Sequence, residues 1–240
     1  MHCSLATPAL TQEFATQGFA IILRLYTPAE ITTLLQCIES APAARPNFRR
    51  SQDVFAIRNL VGEIPELLPL LNTPKLREVL AELFPAGCHL TKAIYFDKPA
   101  GSNWLVAWHQ DLMINVAQRA DQPGFGPWTA KAGWVAVQPP VSFLENTVTL
   151  RLDDCDATNG ALKVVSGSHR QGVVPAKSIA SQAATPFVCA VPAGGAMLMK
   201  PLLLHASSRS TSARPRRVIH LEFSGEELPA GLAWRERRDV

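Results

Sequence analysis

Residues 104–116 read Trp104-Leu105-Val106-Ala107-Trp108-His109-Gln110-Asp111-Leu112-Met113-Ile114-Asn115-Val116, an apolar, aromatic-flanked run in which an imidazole and a carboxylate stand two positions apart. In a β-strand or at its end, alternation puts His109 and Asp111 on one face, a nitrogen donor beside an oxygen donor. Two such ligands hold a metal poorly without a third. The third should come from a paired strand and point to the same side of the sheet, so the reading of this stretch decides for a β architecture. His205, in Pro201-Leu202-Leu203-Leu204-His205-Ala206-Ser207-Ser208, is the best candidate among the remaining histidines. It closes an apolar run, where a strand-end histidine can point into the mouth of a barrel.

Outward from this stretch the pattern is strand-rich. Before it, Leu90, Lys92, Ile94 and Phe96 alternate with Thr91, Ala93, Tyr95 and Asp97, and the run ends in a turn-like Lys98-Pro99-Ala100-Gly101-Ser102-Asn103. After it, residues 117–133 carry Gly124, Gly126, Pro127 and Gly133 and read as a long irregular loop covering the substrate side of the site. Short strands or extended segments follow at 134–141, 146–153, 162–165, 187–191, 196–199, 202–205 and 217–223, broken by turns such as Pro192-Ala193-Gly194-Gly195.

The first 87 residues look different. A short helix around Thr11–Phe14 stops at Gly18 and leads into a strand. Thr27-Pro28-Ala29-Glu30 has the residues of a capping box, and Ile31, Leu34, Leu35 and Ile38 supply one apolar helix face. Ala41–Pro46 is a connector, 54–60 a short strand or extended loop, and 65–71 and 74–84 are helices, the latter with a stripe of Leu76, Val79, Leu80 and Leu83. The expected fold is mainly β with flanking helices: a double-stranded β-helix (jelly roll, cupin-like) core of about eight strands at 88–224, with 1–87 as a mainly helical flank of one 1–240 domain.

Composition sets further bounds. With 47% hydrophobic and 18% charged residues, the chain of 240 residues is globular and long enough to bury one sizeable core. A net charge of +3, with basic residues scattered apart from Arg49-Arg50 and the 209–217 region, argues against nucleic acid as a partner. Cys3, Cys37, Cys88, Cys155 and Cys189 form no zinc-knuckle spacing and read as free thiols of a reducing compartment. No signal peptide and no long apolar span is legible, so the expected location is cytoplasmic, with no membrane partner. Monomer and homodimer stay equally open. The acidic Asp153-Asp154-Cys155-Asp156-Ala157-Thr158-Asn159-Gly160 misses the EF-hand register and its closing glutamate. There is neither a dinucleotide fingerprint nor a phosphate loop.

His109, Asp111 and His205 make a two-histidine, one-carboxylate set suited to a divalent first-row metal, covering one face of an octahedron and leaving three positions open. A closed structural zinc site would recruit a fourth ligand, and no cysteine lies in a suitable pair. Eleven residues after His205 stands Arg216, which a neighbouring strand would deliver beside the metal to grip a dicarboxylate through a two-pronged hydrogen bond. Arg217 points the other way by parity.

These residues carry a resemblance. His109-Gln110-Asp111, the run Asn159-Gly160-Ala161-Leu162-Lys163-Val164-Val165-Ser166-Gly167-Ser168-His169, and His205 with Arg216 resemble the phytanoyl-CoA dioxygenase family of iron(II)- and 2-oxoglutarate-dependent oxygenases. The resemblance implies that His109, Asp111 and His205 bind Fe(II), that Arg216 holds the C5 carboxylate of 2-oxoglutarate, and that Ser212 assists it. Lys92 and Trp134 are weaker candidates for the same pocket, with structural roles as a sheet lysine and a core tryptophan the simpler reading. Ser166 departs from the proline usual before Gly-Ser-His, which alters turn stiffness rather than chemistry. Asp111 implies hydroxylation, since related halogenases carry a small residue there. The implied reaction uses O2 to hydroxylate a C–H bond of a small metabolite with release of succinate and CO2. A cupin-like metalloenzyme without 2-oxoglutarate, and a non-catalytic metal-binding module, remain the alternatives.

Overall fold

The computed structural model describes residues 8–42, 47–50, 55–98, 105–131, 133–183 and 185–240. Cys3, Trp104, the turn at 99–103, most of the 41–46 connector and Val54 at the start of the 54–60 segment therefore lie outside the described residues. In chain order, α1 (Pro8–Gln17) leads into β1 (Phe19–Ile22), α2 (Pro28–Glu39), β2 (Phe48–Arg50), β3 (Phe55–Arg58), α3 (Leu60–Glu63), α4 (Leu67–Leu71) and α5 (Pro74–Leu83). Strands then dominate: β4 (His89–Lys98), β5 (Val106–His109), β6 (Ile114–Val116), β7 (Trp128–Lys131), β8 (Trp134–Val137), β9 (Asn146–Arg151) and β10 (Leu162–Val164). After α6 (Ala176–Gln182) come β11 (Phe187–Val188), β12 (Ala196–Met199), β13 (His205–Ser207), β14 (Arg216–Ser224) and β15 (Arg238–Asp239).

These strands form three antiparallel sheets in a mixed helix-and-sheet fold. The largest has the order β1-β12-β9-β14-β4-β3-β2, with β15 added on β4; the second is β11-β10-β13-β5 and the third β6-β8-β7. Strands outnumber the expected eight for two reasons. The N-terminal flank donates β1, β2 and β3 to the main sheet, and the supposedly irregular 117–133 stretch closes a hairpin through β7 and β8.

Alternation gives the main sheet two unlike faces. Ile219, Leu221 and Phe223 of β14, Val148 and Leu150 of β9, Leu198 of β12 and Tyr95 of β4 pack with Leu34 and Ile38 of α2, Leu67 of α4 and Leu76 and Val79 of α5. Full burial of each such side chain contributes about 1.5–3 kcal/mol, so this face anchors the helical flank. α2 begins as its sequence dictates: Thr27 and Glu30 form a reciprocal capping box, with the Thr27 N–H donating to Glu30 at 2.7 Å. The other face of the same strands, carrying Lys92, Ile94, Phe96, Thr149, Arg151, Arg216, Val218, His220 and Glu222, lines a cavity. A smaller apolar cluster of Met197, Met199, Val164 and Leu203 joins the main sheet to the second sheet.

Local turns hold the second sheet in place. Gly18 adopts φ +81, and a Cβ there would lie 2.4 Å from Nδ1 of His169, whose Nε2 donates to the Ala15 carbonyl at 3.1 Å. The neighbouring Ser168 Oγ accepts the Leu204 N–H at 2.8 Å, directly before His205. Gly-Ser-His is thus a structural rivet. The acidic turn is likewise structural: Asp153 pairs with Arg217 at 2.8 Å, Asp154 accepts the Ala193 N–H at 2.9 Å, and Asp156 pairs with Arg214 at 2.5 Å. The same pairs neutralise two arginines of the basic 209–217 region.

Candidate metal centre and cosubstrate pocket

β5 and β13 run antiparallel with His205 directly opposite His109, and the two ring centroids lie 4.1 Å apart. The expected paired strand for the third ligand is therefore present. Asp111 arrives differently from the alternation argument, because β5 ends at His109 and the carboxylate follows in the extended segment beyond it. It still converges: His109 Nε2 is 3.7 Å from Asp111 Oδ1, and His205 Nε2 is 3.6 Å from Oδ2. One ligand atom from each of the three residues lies within 4.8 Å of the others, a spacing that a single divalent ion can bridge.

The fit extends beyond distance. Nδ1 of His109 donates to the Ala107 carbonyl at 2.8 Å, and Nδ1 of His205 donates to the Leu203 carbonyl at 2.9 Å. A carbonyl only accepts, so both rings carry their proton on Nδ1 and present an Nε2 lone pair to the centre. Burial lowers the His205 pKa, with the Asp111 carboxylate opposing, which favours the neutral ring a metal requires.

Gln110, between the first two ligands, locks the loops that carry them. Its Nε2 donates to the Leu202 carbonyl at 2.6 Å and to Gly172 at 2.9 Å, while its Oε1 accepts the Val174 N–H at 2.8 Å. The Asp111 N–H adds a bond to the Pro201 carbonyl at 2.8 Å. Both ligand-bearing segments are thereby tied to each other before any ion enters.

The triad opens on a cavity of about 500 Å³ walled by both larger sheets. Arg216 reaches it from the start of β14. It is 7% exposed, its Nη1 donates to the Gly160 carbonyl at 2.6 Å, and its buried Nε has no partner. Gly160 must be glycine, since it has φ +82 and a Cβ would meet the Ser208 carbonyl at 2.7 Å. An orphaned buried guanidinium N–H beside an open metal face suits the far carboxylate of a dicarboxylate chelator.

The remaining sequence candidates are placed unequally. Lys92 lines the cavity, but its ammonium bonds Glu222 and lies 3.8 Å from Glu145. Burial works against that charge, yet Glu222 and Glu145 hold the Lys92 pKa above its ordinary value. Burial also raises the Glu145 carboxyl well above its usual range, while Lys92 and then His220 overcome the same burial at Glu222 and hold it low. Trp134 lines the cavity from β8, with the Arg235 guanidinium over its ring at 4.5 Å. Ser212 is not brought to the cavity: its Oγ accepts the Arg214 N–H at 3.0 Å within the turn before β14, and Ser207 of β13 stands in the cavity wall instead. The described part of 117–133 also stays away from the wall, which takes Leu112, Met113, Asn115 and Trp134 from either side. That stretch packs instead on the C-terminal segment, with Gln122 Nε2 donating to the Ala230 carbonyl at 2.6 Å and Ala120 and Phe125 against Leu232 and Trp234.

Sequence reasoning missed Gln110, Glu145, Glu222 and above all Arg151, which is 1% exposed and has Nε and Nη2 buried without partners. A signal for Arg151 existed in the strand parity, since Thr147, Thr149 and Arg151 alternate with Val148, Leu150 and Leu152.

The sequence profile of the family described as Phytanoyl-CoA dioxygenase (PhyH) matches residues 14–218. No curated protein matches the chain. Among solved structures, EctD from S. alaskensis, determined with 2-oxoglutarate and 5-hydroxyectoine, is 17% identical and covers 93% of this chain and 78% of its own, with a TM-score of 0.72. The non-heme alpha ketoglutarate dependent carbocyclase SnoK from nogalamycin biosynthesis is 16% identical, covers 96% and 87%, and has a TM-score of 0.69. HygX from Streptomyces hygroscopicus, with nickel, 2-oxoglutarate and hygromycin B bound, is 15% identical, covers 91% and 87%, and has a TM-score of 0.67. At these identities the likeness is one of fold.

Proposed function

The chain belongs to the phytanoyl-CoA dioxygenase family, and we propose that it is an Fe(II)- and 2-oxoglutarate-dependent dioxygenase hydroxylating a C–H bond of a small molecule. The observation that carries the reading is the His109–Asp111–His205 triad opening onto the cavity that holds the orphaned Nε of Arg216. When bound, the metal and cosubstrate supply the oxidising chemistry, one oxygen atom of O2 entering succinate, formed with CO2, and the other entering substrate.

The protein's own residues have three tasks. His109 and His205 would hold the ion through Nε2 and Asp111 through a carboxylate oxygen, leaving the remaining face open. Arg216 would fix the far carboxylate and so orient the chelating end. Phe96, Leu112, Met113 and Trp134 would surround the substrate with apolar surface that keeps bulk water away from the reacting C–H bond. Asp111 favours hydroxylation because a carboxylate occupies the position that a halide would need. The fold part of the reading is a jelly roll, supported by the main and second sheets walling one cavity, in a single domain spanning 1–240. No helix among the described residues is long and apolar enough to cross a membrane, and a cytoplasmic setting is part of the proposal.

The test is succinate formation from 2-oxoglutarate by the iron-loaded protein in air, with a panel of small-molecule substrates. Iron-dependent succinate that disappears in His109→Ala and Asp111→Ala supports the reading. Full turnover of a substrate without added 2-oxoglutarate, unchanged in Arg216→Ala, would instead favour a cupin-like metalloenzyme.

A further inference from the structure

Among the described residues, Arg151 is the largest side chain almost wholly withdrawn from solvent, and it sits in the wall of the cavity beside the His109–Asp111–His205 triad. Its Nε and Nη2 have no hydrogen-bond partner, and among the described residues it makes no ion pair. A buried guanidinium without a counter-charge is costly, because desolvation is not offset by any acceptor. The partly buried Arg217 nearby shows the usual solution, held by Asp153 at 2.8 Å. Among the described residues, Arg151 and Arg216 in the same neighbourhood have no carboxylate partner.

The sheet register brings these two together. β9 and β14 are antiparallel with Arg151 opposite Val218, so Arg216 is the diagonal neighbour of Arg151 on the same face. Diagonal neighbours lie about 7–8 Å apart, within reach of two long side chains meeting at one ligand. Each contributes an orphaned N–H, and both line the cavity beside His205.

We propose that Arg151 is a second cosubstrate-binding residue, forming with Arg216 a two-guanidinium clamp on the far carboxylate of 2-oxoglutarate. This rests on the cosubstrate reading above and adds to it a residue and a selectivity. The clamp makes binding depend on the second carboxylate: a 2-oxo acid that chelates the metal equally well but ends in a methyl group leaves the orphaned N–H groups of both guanidinium groups without an acceptor.

The experiment compares 2-oxoglutarate with 2-oxopentanoate, which lacks the far carboxylate, by calorimetric titration of the full-length Mn(II)-loaded protein without turnover. The expected result is that Arg151→Gln weakens 2-oxoglutarate at least tenfold while 2-oxopentanoate binds as to wild type. A general distortion of the pocket would weaken both ligands, and that outcome overturns the proposal. Arg151→Lys, which keeps the charge but loses the fork, should weaken 2-oxoglutarate at least threefold and serves if the glutamine variant does not fold; binding equal to wild type in a folded variant overturns the clamp. If Arg216→Gln loses the preference for 2-oxoglutarate and the Arg151 variants keep it, the clamp fails while the cosubstrate reading stands. If wild type shows no preference for 2-oxoglutarate over 2-oxopentanoate, both fail.

Discussion

Gln110 Nε2 donates to the Leu202 carbonyl at 2.6 Å, so the side chain between two proposed metal ligands is bonded to the segment that carries the third. With its bonds to Gly172 and Val174, this buried amide makes the ligand geometry a property of the protein itself. Gln110→Ala removes three hydrogen bonds and strands their buried partners. Outer-shell losses of this kind typically lower metal affinity by about 10–100-fold, and the unpaired groups should cost roughly 2–3 kcal/mol of stability. Mn(II) titration together with urea unfolding measures both, and an unchanged metal affinity would show that the clamp does not position the ligands.

Asp111 behaves differently from Gln110, because its side chain is 34% exposed and contributes no core packing. Asp111→Ala should therefore leave stability within about 0.5 kcal/mol of wild type while abolishing stoichiometric metal binding. Thermal unfolding without metal and calorimetry with Mn(II) separate these effects. A variant that still binds one equivalent tightly would remove Asp111 from the ligand set.

Gly18 is fixed by two independent constraints, a left-handed backbone and the His169 ring 2.4 Å from where a Cβ would stand. Gly18→Ala should destabilise by roughly 2 kcal/mol or more, through strain and displacement of His169 from the Ala15 carbonyl. Because Ser168 also supports Leu204, metal affinity should fall with stability. Denaturant unfolding and Mn(II) titration of one preparation check the coupling, and stability equal to wild type would show that the turn accommodates a methyl group.

The site was legible where its residues announce their chemistry and opaque where a residue acts through position alone. His109, Asp111, His205 and Arg216 have side chains and spacings with few other uses, and β5–β13 pairing brings the histidines together as the strand argument requires. The resemblance points to Ser212 beside the cosubstrate, but the turn before β14 uses its hydroxyl for the Arg214 N–H. The 117–133 stretch has the glycines and proline of a loop, yet β7 pairs with β8, and apolar Phe125 packs with the C-terminal Trp234, a contact between residues too distant in sequence to foresee. Arg151 needed the register of β9 on β14 before its parity gained meaning.

Lys98 provides a pH test of the buried cationic end of the sheet. It is the register partner of Arg216, and its Nζ donates to the Ser208 carbonyl at 2.9 Å. Burial, reinforced by Arg216, lowers its pKa to about 8 from an ordinary 10.5. Between those values the unfolded chain binds more protons than the folded one, so stability rises with pH. The contribution is fully present above about 10.5 and is lost as pH falls through about 8. Between pH ~7.5 and ~9.5, wild type should gain about 2 kcal/mol relative to Lys98→Met, within the roughly 3 kcal/mol that linkage allows over the whole window. Urea unfolding of both proteins at the two pH values measures the difference, and a gap that does not change with pH would show that the lysine keeps its charge throughout.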